Sequence, residues 1–150
     1  LGIGMSAIQH AVSELGYVEH RLEMKLHRDM VLIDDAFNAN PEGAAAACDV
    51  LAQMPGWRIL VTPGMIDLGE QQEQFNRCLG THAAGCADEV ILVGGKQVQP
   101  LRQGLLEGGF DEDRIGQVMT MQEAFACFEQ SPHADKVVLI ENDVPDVLNR

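Results

Sequence analysis

Basic residues are scarce in this chain. Ten Lys and Arg stand against 23 Asp and Glu among 150 residues, a formal net charge of −13. Nucleic acid and anionic membrane surfaces both require clustered Lys and Arg, so this balance excludes them as partners. It leaves an anionic small ligand open, because backbone N–H groups and one or two placed cations can hold a phosphate. Runs of 18 apolar residues are missing too, and with them any transmembrane helix. Several catalytic signatures are absent: GxxxxGK[ST], GxGxxG after the first strand, GxSxG and HExxH. The chain therefore carries no phosphate-loop cradle, dinucleotide fingerprint, nucleophile elbow or zincin site of its own. Cys48, Cys78, Cys86 and Cys127 lack CxxC spacing, and no signal-peptide pattern is present. They read as buried free thiols of a cytoplasmic protein, with a zinc site or disulfide framework as the alternatives. His10, His20, His27, His82 and His133 are scattered, so no metal site is expected from them. The first residue is Leu1 rather than Met, which suggests an excised fragment or processed product.

What is present is enough for one folded domain. Hydrophobic residues make up 46% of the chain, too many for a disordered segment and enough for a real core. Met5, Ile8, Val12 and Leu15 follow a helical spacing stopped by Gly16. Leu22, Met24 and Leu26 alternate with Glu23 and Lys25, which predicts a half-exposed strand and a turn at His27–Asp29. Met30–Ile33 is a continuous apolar run ending in Asp34 and Asp35, the pattern of a buried strand. Asn40 is placed as the N-cap, and Pro41 as the first residue, of an Ala-rich helix reaching Met54.

Strands at 57–61, 89–93, 114–119 and 136–140 then alternate with helices at 70–85, 97–106 and 121–130. The expected fold is α/β: a Rossmann-like, mostly parallel sheet flanked by helices, with a short antiparallel hairpin on its N-terminal side. Ligands of such sheets sit at the carboxyl ends of strands. That directs attention to Asp34 and Asp35, to Thr62, Pro63 and Gly64, to Gly94 and Gly95, and to Glu141, Asn142 and Asp143.

Adjacent carboxylates after a first buried strand also occur in receiver domains. Those need an Asp after the third strand and a Lys after the fifth, and here the corresponding strands end in Thr62, Val93 and Glu141. Gly94–Gly95–Lys96 lacks the spacing of a nucleotide cradle. Asn38 is less explained by capping than Asn40, and Phe37 suits either the core or a flat ligand face.

Taken together, Arg21, the strand pair, the run Ile33-Asp34-Asp35-Ala36-Phe37-Asn38-Ala39-Asn40-Pro41 and the following Ala-rich helix resemble the C-terminal domain of the Mur ligases. These are ATP-dependent amide ligases of peptidoglycan precursor synthesis. The form is most similar to members that add D-alanyl-D-alanine to a UDP-N-acetylmuramoyl tripeptide. Gly64–Glu70 and Val90–Gly94 agree with it, and the likeness spans Glu19 to Asp146.

The resemblance implies roles. Arg21 would be catalytic, reaching the ATP γ-phosphate when the domain closes. Asp35 would lie by the ribose or its hinge, and Asn38 and Asn40 by the adenine and the incoming amine. Asp34, Thr62, Gly64, Glu141, Asn142 and Asp143 would lie along the substrate edge. Residues 1–18 would be the end of the central ATPase domain and its linker, and residues 19–150 the C-terminal domain. The partners implied are ATP with Mg2+, the UDP-muramoyl peptide, a dipeptide, and the protein's own N-terminal and central domains. The central domain would supply most of the metal ligands, so the chain alone should be inactive.

Three departures stand out. Pro63-Gly64 replaces a common Gly-Asp, Asn76 replaces a common His, and Glu141-Asn142-Asp143 replaces Lys-Gly-Ser-Arg. Two further readings stay open: a non-catalytic α/β nucleotide-binding or interaction domain, and a superfamily ligase with another amino substrate. A GT-x-GKT loop in sequence preceding Leu1 would separate the ligases from the first of these.

Overall fold

The computed structural model describes residues 4–14, 21–35 and 40–142. Helix α1 covers Met5–Glu14, and strands β1 and β2 cover Glu23–His27 and Met30–Asp35. Then come α2 (Pro41–Gln53), β3 (Trp57–Thr62), α3 (Gln72–Ala83), β4 (Glu89–Val93) and α4 (Gln99–Glu107). The order closes with β5 (Ile115–Val118), α5 (Met121–Gln130) and β6 (Lys136–Glu141). Short 3-10 turns at Gly69–Gln71 and Lys96–Val98 lead into α3 and α4, so both helices start later than their apolar spacing suggests.

The strands form one six-stranded sheet in the order β1-β2-β6-β3-β4-β5. β1 is antiparallel to β2, and the other pairs are parallel. The last strand thus enters the middle of the sheet. A right-handed crossover from β5 back to that position must pass over the opposite face from the earlier helices. The packing agrees: Val31, Ile33, Leu60, Leu92 and Leu139 face one core with residues of α2, α3 and α4. Leu32, Val61, Ile91 and Ile140 face a second core with Met121, Ala124 and Phe128 of α5. Both faces being covered explains the near-continuous apolar runs in the sequence.

Two expectations are corrected. The polar side of β1 is not its solvent side: Glu23 is buried, whereas Leu26 is 49% exposed. The reason is an ion network on the α5 side of the hairpin. Lys25 Nζ lies 3.1 Å from Glu23 and 3.3 Å from Asp34. Burial works against the Lys25 ammonium, but its bonds to Glu23 and Asp34 prevail and raise its pKa. The cysteines are all free, but Cys78 and Cys127 are exposed, on outward positions of α3 and α5, and only Cys48 and Cys86 are buried.

Helices α3 and α4 meet through glycines. A Cβ on Gly80 would fall 2.1 Å from the Leu101 carbonyl oxygen, and one on Gly104 would fall 1.9 Å from that of Arg77. Neither backbone can yield without parting the helices. Gly104→Ala is therefore expected to destabilise the chain by about 1–3 kcal/mol, despite its gain in helix propensity, as read by urea unfolding.

Candidate functional site

The carboxyl edge of the sheet is braced from within. β1 runs antiparallel to β2, with Glu23 opposite Asp34, so the chain enters the sheet beside the end of β2. There the Leu22 N–H donates to Asp35 Oδ1 at 3.1 Å. Leu22 has a positive φ of 48°, a conformation costly for a branched side chain. The Asp35 bond helps to hold it. Arg21, the next residue back, is exposed at this edge and pairs with no carboxylate among the described residues.

Asp35 and Glu141 are register partners on adjacent strands and share the face toward α2. Both are buried. Burial first, then the neighbouring Asp35, pushes the Glu141 carboxyl up to about 10, so it keeps its proton at neutral pH. Neither Glu141 oxygen has a hydrogen-bond partner at this site. Burial also raises the pKa of the nearby Cys48 thiol, with the Glu141 charge adding to the effect. Asp34 points to the other face, into the Lys25 network.

The loop after β3 is tied down at four points. Thr62 Oγ1 accepts from the Gly64 N–H at 3.0 Å, and the Gly64 carbonyl accepts from Asn142 Nδ2. Asn76 of α3 accepts from the Met65 N–H through Oδ1 and donates to the Met65 carbonyl through Nδ2, both at 2.8 Å. Gly64 has φ +78°, and a Cβ there would meet Asn76 Oδ1 at 2.9 Å. Glycine is required on both counts. The Asn142 N–H reaches the Asp35 carbonyl at 3.4 Å, joining the loop to β2.

At the start of α2, Asn40 Oδ1 accepts from the Gly43 N–H at 2.7 Å, an N-cap as expected. In the Gly94–Gly95 turn, the Gly95 N–H is already taken by the Gln97 side chain. Asn38 and Asp143, with Phe37, lie outside the described residues. The structure thus brings Arg21, Asp35, Thr62, Gly64, Glu141 and Asn142 to one edge and turns Asp34 away from it. Sequence reasoning marked Asn76 only as a departure from the family pattern and missed its role as the brace of this loop.

Comparison with known proteins bears on this edge. Residues 20–144 match the family model described as Mur ligase, glutamate ligase domain. The chain belongs to the Mur ligase family. It is similar to the UDP-N-acetylmuramoyl-tripeptide–D-alanyl-D-alanine ligase of Escherichia coli, with 36% identity over 98 residues, 65% of this chain and 22% of that protein. Among solved structures it is similar to a MurF ligase of Thermotoga maritima in complex with ADP. There the TM-score is 0.72 at 20% identity, covering 87% of this chain and 29% of that one. A MurF of Acinetobacter baumannii gives 0.69 at 21% identity, over 95% and 31%. The chain spans less than a third of the length of these Mur ligases. The described fold, a mostly parallel six-stranded sheet with one antiparallel pair, is that of the Mur ligase C-terminal domain. Among the described residues no helix is long and apolar enough to cross a membrane.

Proposed function

We propose that this chain is the closing domain of a cytoplasmic ATP-dependent amide ligase of peptidoglycan precursor synthesis, which adds D-alanyl-D-alanine to a UDP-N-acetylmuramoyl tripeptide. The observation that carries this reading is the placement of Arg21. The Asp35–Leu22 bond holds the backbone next to exposed Arg21 at the edge where strands of this fold class meet ligands. The name of the Escherichia coli relative supports the substrate assignment, and the ADP in the Thermotoga complex supports the nucleotide.

Amide formation from a carboxylate needs an activated acyl group. The tripeptide carboxylate attacks the γ-phosphorus of ATP, and ADP leaves. The dipeptide amine then attacks the acyl carbon, phosphate leaves, and the amine gives up a proton. An Arg delivered only on closure stabilises the charge of phosphoryl transfer and helps to keep water from the acyl phosphate. Its planar fork suits phosphate oxygens. Asp35 holds the segment that carries it, while Asn38 and Asn40 would border the nucleotide. Thr62, Gly64, Asn142 and Asp143 would border the amine, with Glu141 enclosed behind them beneath α2. Mg2+ would be held mainly by the central domain, to which residues 1–18 would connect residues 19–150.

A domain that completes a site only on closure binds its nucleotide weakly alone. Calorimetry on the chain should give a Kd for ATP of about 1 mM or weaker, with no phosphate release from ATP and dipeptide. The full-length protein should release phosphate only when UDP-muramoyl tripeptide, ATP and D-alanyl-D-alanine are all present. Micromolar ATP binding by the chain, or a full-length protein inert with every dipeptide, would overturn the reading.

A further inference from the structure

At the opposite end of the sheet from Arg21, three side chains from two helices converge. Asp49 lies in the second half of α2, His82 in the last turn of α3, and Cys86 just beyond it. His82 Nε2 and Asp49 Oδ1 are 2.7 Å apart, and Cys86 Sγ lies with them inside a 4.8 Å span. Among the described residues this is the one group of three side chains so placed. In the turn that follows α3 the Cys86 thiol donates to the His82 carbonyl at 3.4 Å, which keeps the two residues together. Asp49 arrives through the packing of α2 against α3.

We propose that Asp49, His82 and Cys86 form a site for a zinc-class divalent cation that ties α2 to the end of α3. The donor set is one carboxylate oxygen, one imidazole nitrogen and one thiolate. Zinc takes this mixture in tetrahedral geometry, with bonds of about 2.0–2.3 Å. A thiolate donor rules against Mg2+ and Ca2+, which prefer oxygen. The edge of such a tetrahedron is about 3.3–3.8 Å, so side-chain rotations that part His82 from Asp49 and draw Cys86 inward would bring the three atoms around one centre.

The first two ligands are exposed and the third is buried, so the open fourth position faces solvent and takes water. Binding replaces the contact between His82 and Asp49 and expels the Cys86 thiol proton. Burial and the Asp49 charge, which raise the Cys86 pKa in the free chain, make that proton the main obstacle. Arg58, a cation whose charge acts on Cys86, is occupied by Asp88 through bonds of 2.9 and 3.0 Å. It therefore does little to repel a metal. The mechanism proposed above does not use this site.

The test uses the 150-residue chain with Cys78 and Cys127 changed to Ser, so that exposed thiols do not compete. Co2+ titration at pH 7.5 should give a sulfur-to-cobalt charge-transfer band and tetrahedral d–d bands, lost when Zn2+ is added. A Kd on the order of micromolar is expected for three ligands. Cys86→Ser should abolish the charge-transfer band. Asp49→Asn, at an exposed position that does not threaten folding, should weaken binding at least about tenfold. Zn2+ should raise the melting temperature of the parent and not that of Cys86→Ser. Absence of a thiolate band in the folded parent, or Asp49→Asn binding as tightly as the parent, would overturn the site.

Discussion

Arg21→Ala in the full-length ligase should lower kcat by about 10^3-fold, the scale on which an arginine placed on a transferring phosphoryl group acts. KM for ATP should move much less, because the guanidinium acts on charge that develops during transfer rather than on the bound nucleotide. Stability should hardly change. The side chain is exposed and pairs with no described carboxylate, so its removal leaves no buried partner unsatisfied. This separation is the useful part of the test. A variant that loses both kcat and melting temperature would assign Arg21 to structure, and an unchanged kcat would remove it from the site. Arg21→Lys adds a second reading. Lysine keeps the charge but loses the planar fork, so it should recover only a small part of the rate if two phosphate oxygens are gripped at once.

Much of the fold was legible because parallel strands buried on both faces leave continuous apolar runs. Trp57–Val61 and Glu89–Val93 form strands within a residue of the expected bounds, and the strand over Met30–Ile33 continues through both carboxylates to Asp35. Asn40 and Pro41 marked the start of α2 through local chemistry alone. What periodicity could not show is strand order. β6 enters between β2 and β3 by a crossover over the far face, a decision of the whole chain that no local window contains.

Buried charge was equally hidden. Glu23 reads as the polar face of a half-exposed strand, yet it is buried beside Lys25. Glu141 reads as an acid at a ligand edge, yet it is enclosed beneath α2. In the candidate site, the family resemblance singled out Arg21 and Asp35 for roles that remain proposals. The bond from Asp35 to the Leu22 N–H was not legible, since it closes only when the hairpin forms. Asp49 was invisible as a neighbour of His82 and Cys86 for the same reason: helix packing brings it there.

Glu141 should make the chain less stable as pH rises between about 5 and 8, the reverse of what its many paired carboxylates do in acid. Its folded pKa is pushed up to about 10 from an ordinary value of 4.5, first by burial and then by Asp35. A carboxyl whose folded pKa is raised contributes most below the unfolded pKa, and that contribution is lost as pH climbs toward the folded value. The slope reaches about 1.4 kcal/mol per pH unit, so a loss on the order of 2–4 kcal/mol is expected from pH 5 to pH 8.

The other groups with shifted pKa values act outside this window. Asp88 and Glu123 have lowered pKa values, so their contribution is lost only in acid. Cys48 and Cys86 are shifted upward, so their effect begins above the window. Glu141→Gln has no proton to lose, and urea midpoints of the variant should stay nearly level where those of the parent fall. Superimposable profiles would show that Glu141 does not titrate in this way. A falling parent profile would also bear on the ligase. Ionised Glu141 places a negative charge against Asp35, the residue that fastens the Leu22 backbone next to Arg21. The proton on Glu141 then protects the position of the arginine proposed to act on the phosphate, and activity should fail in alkali before the domain unfolds.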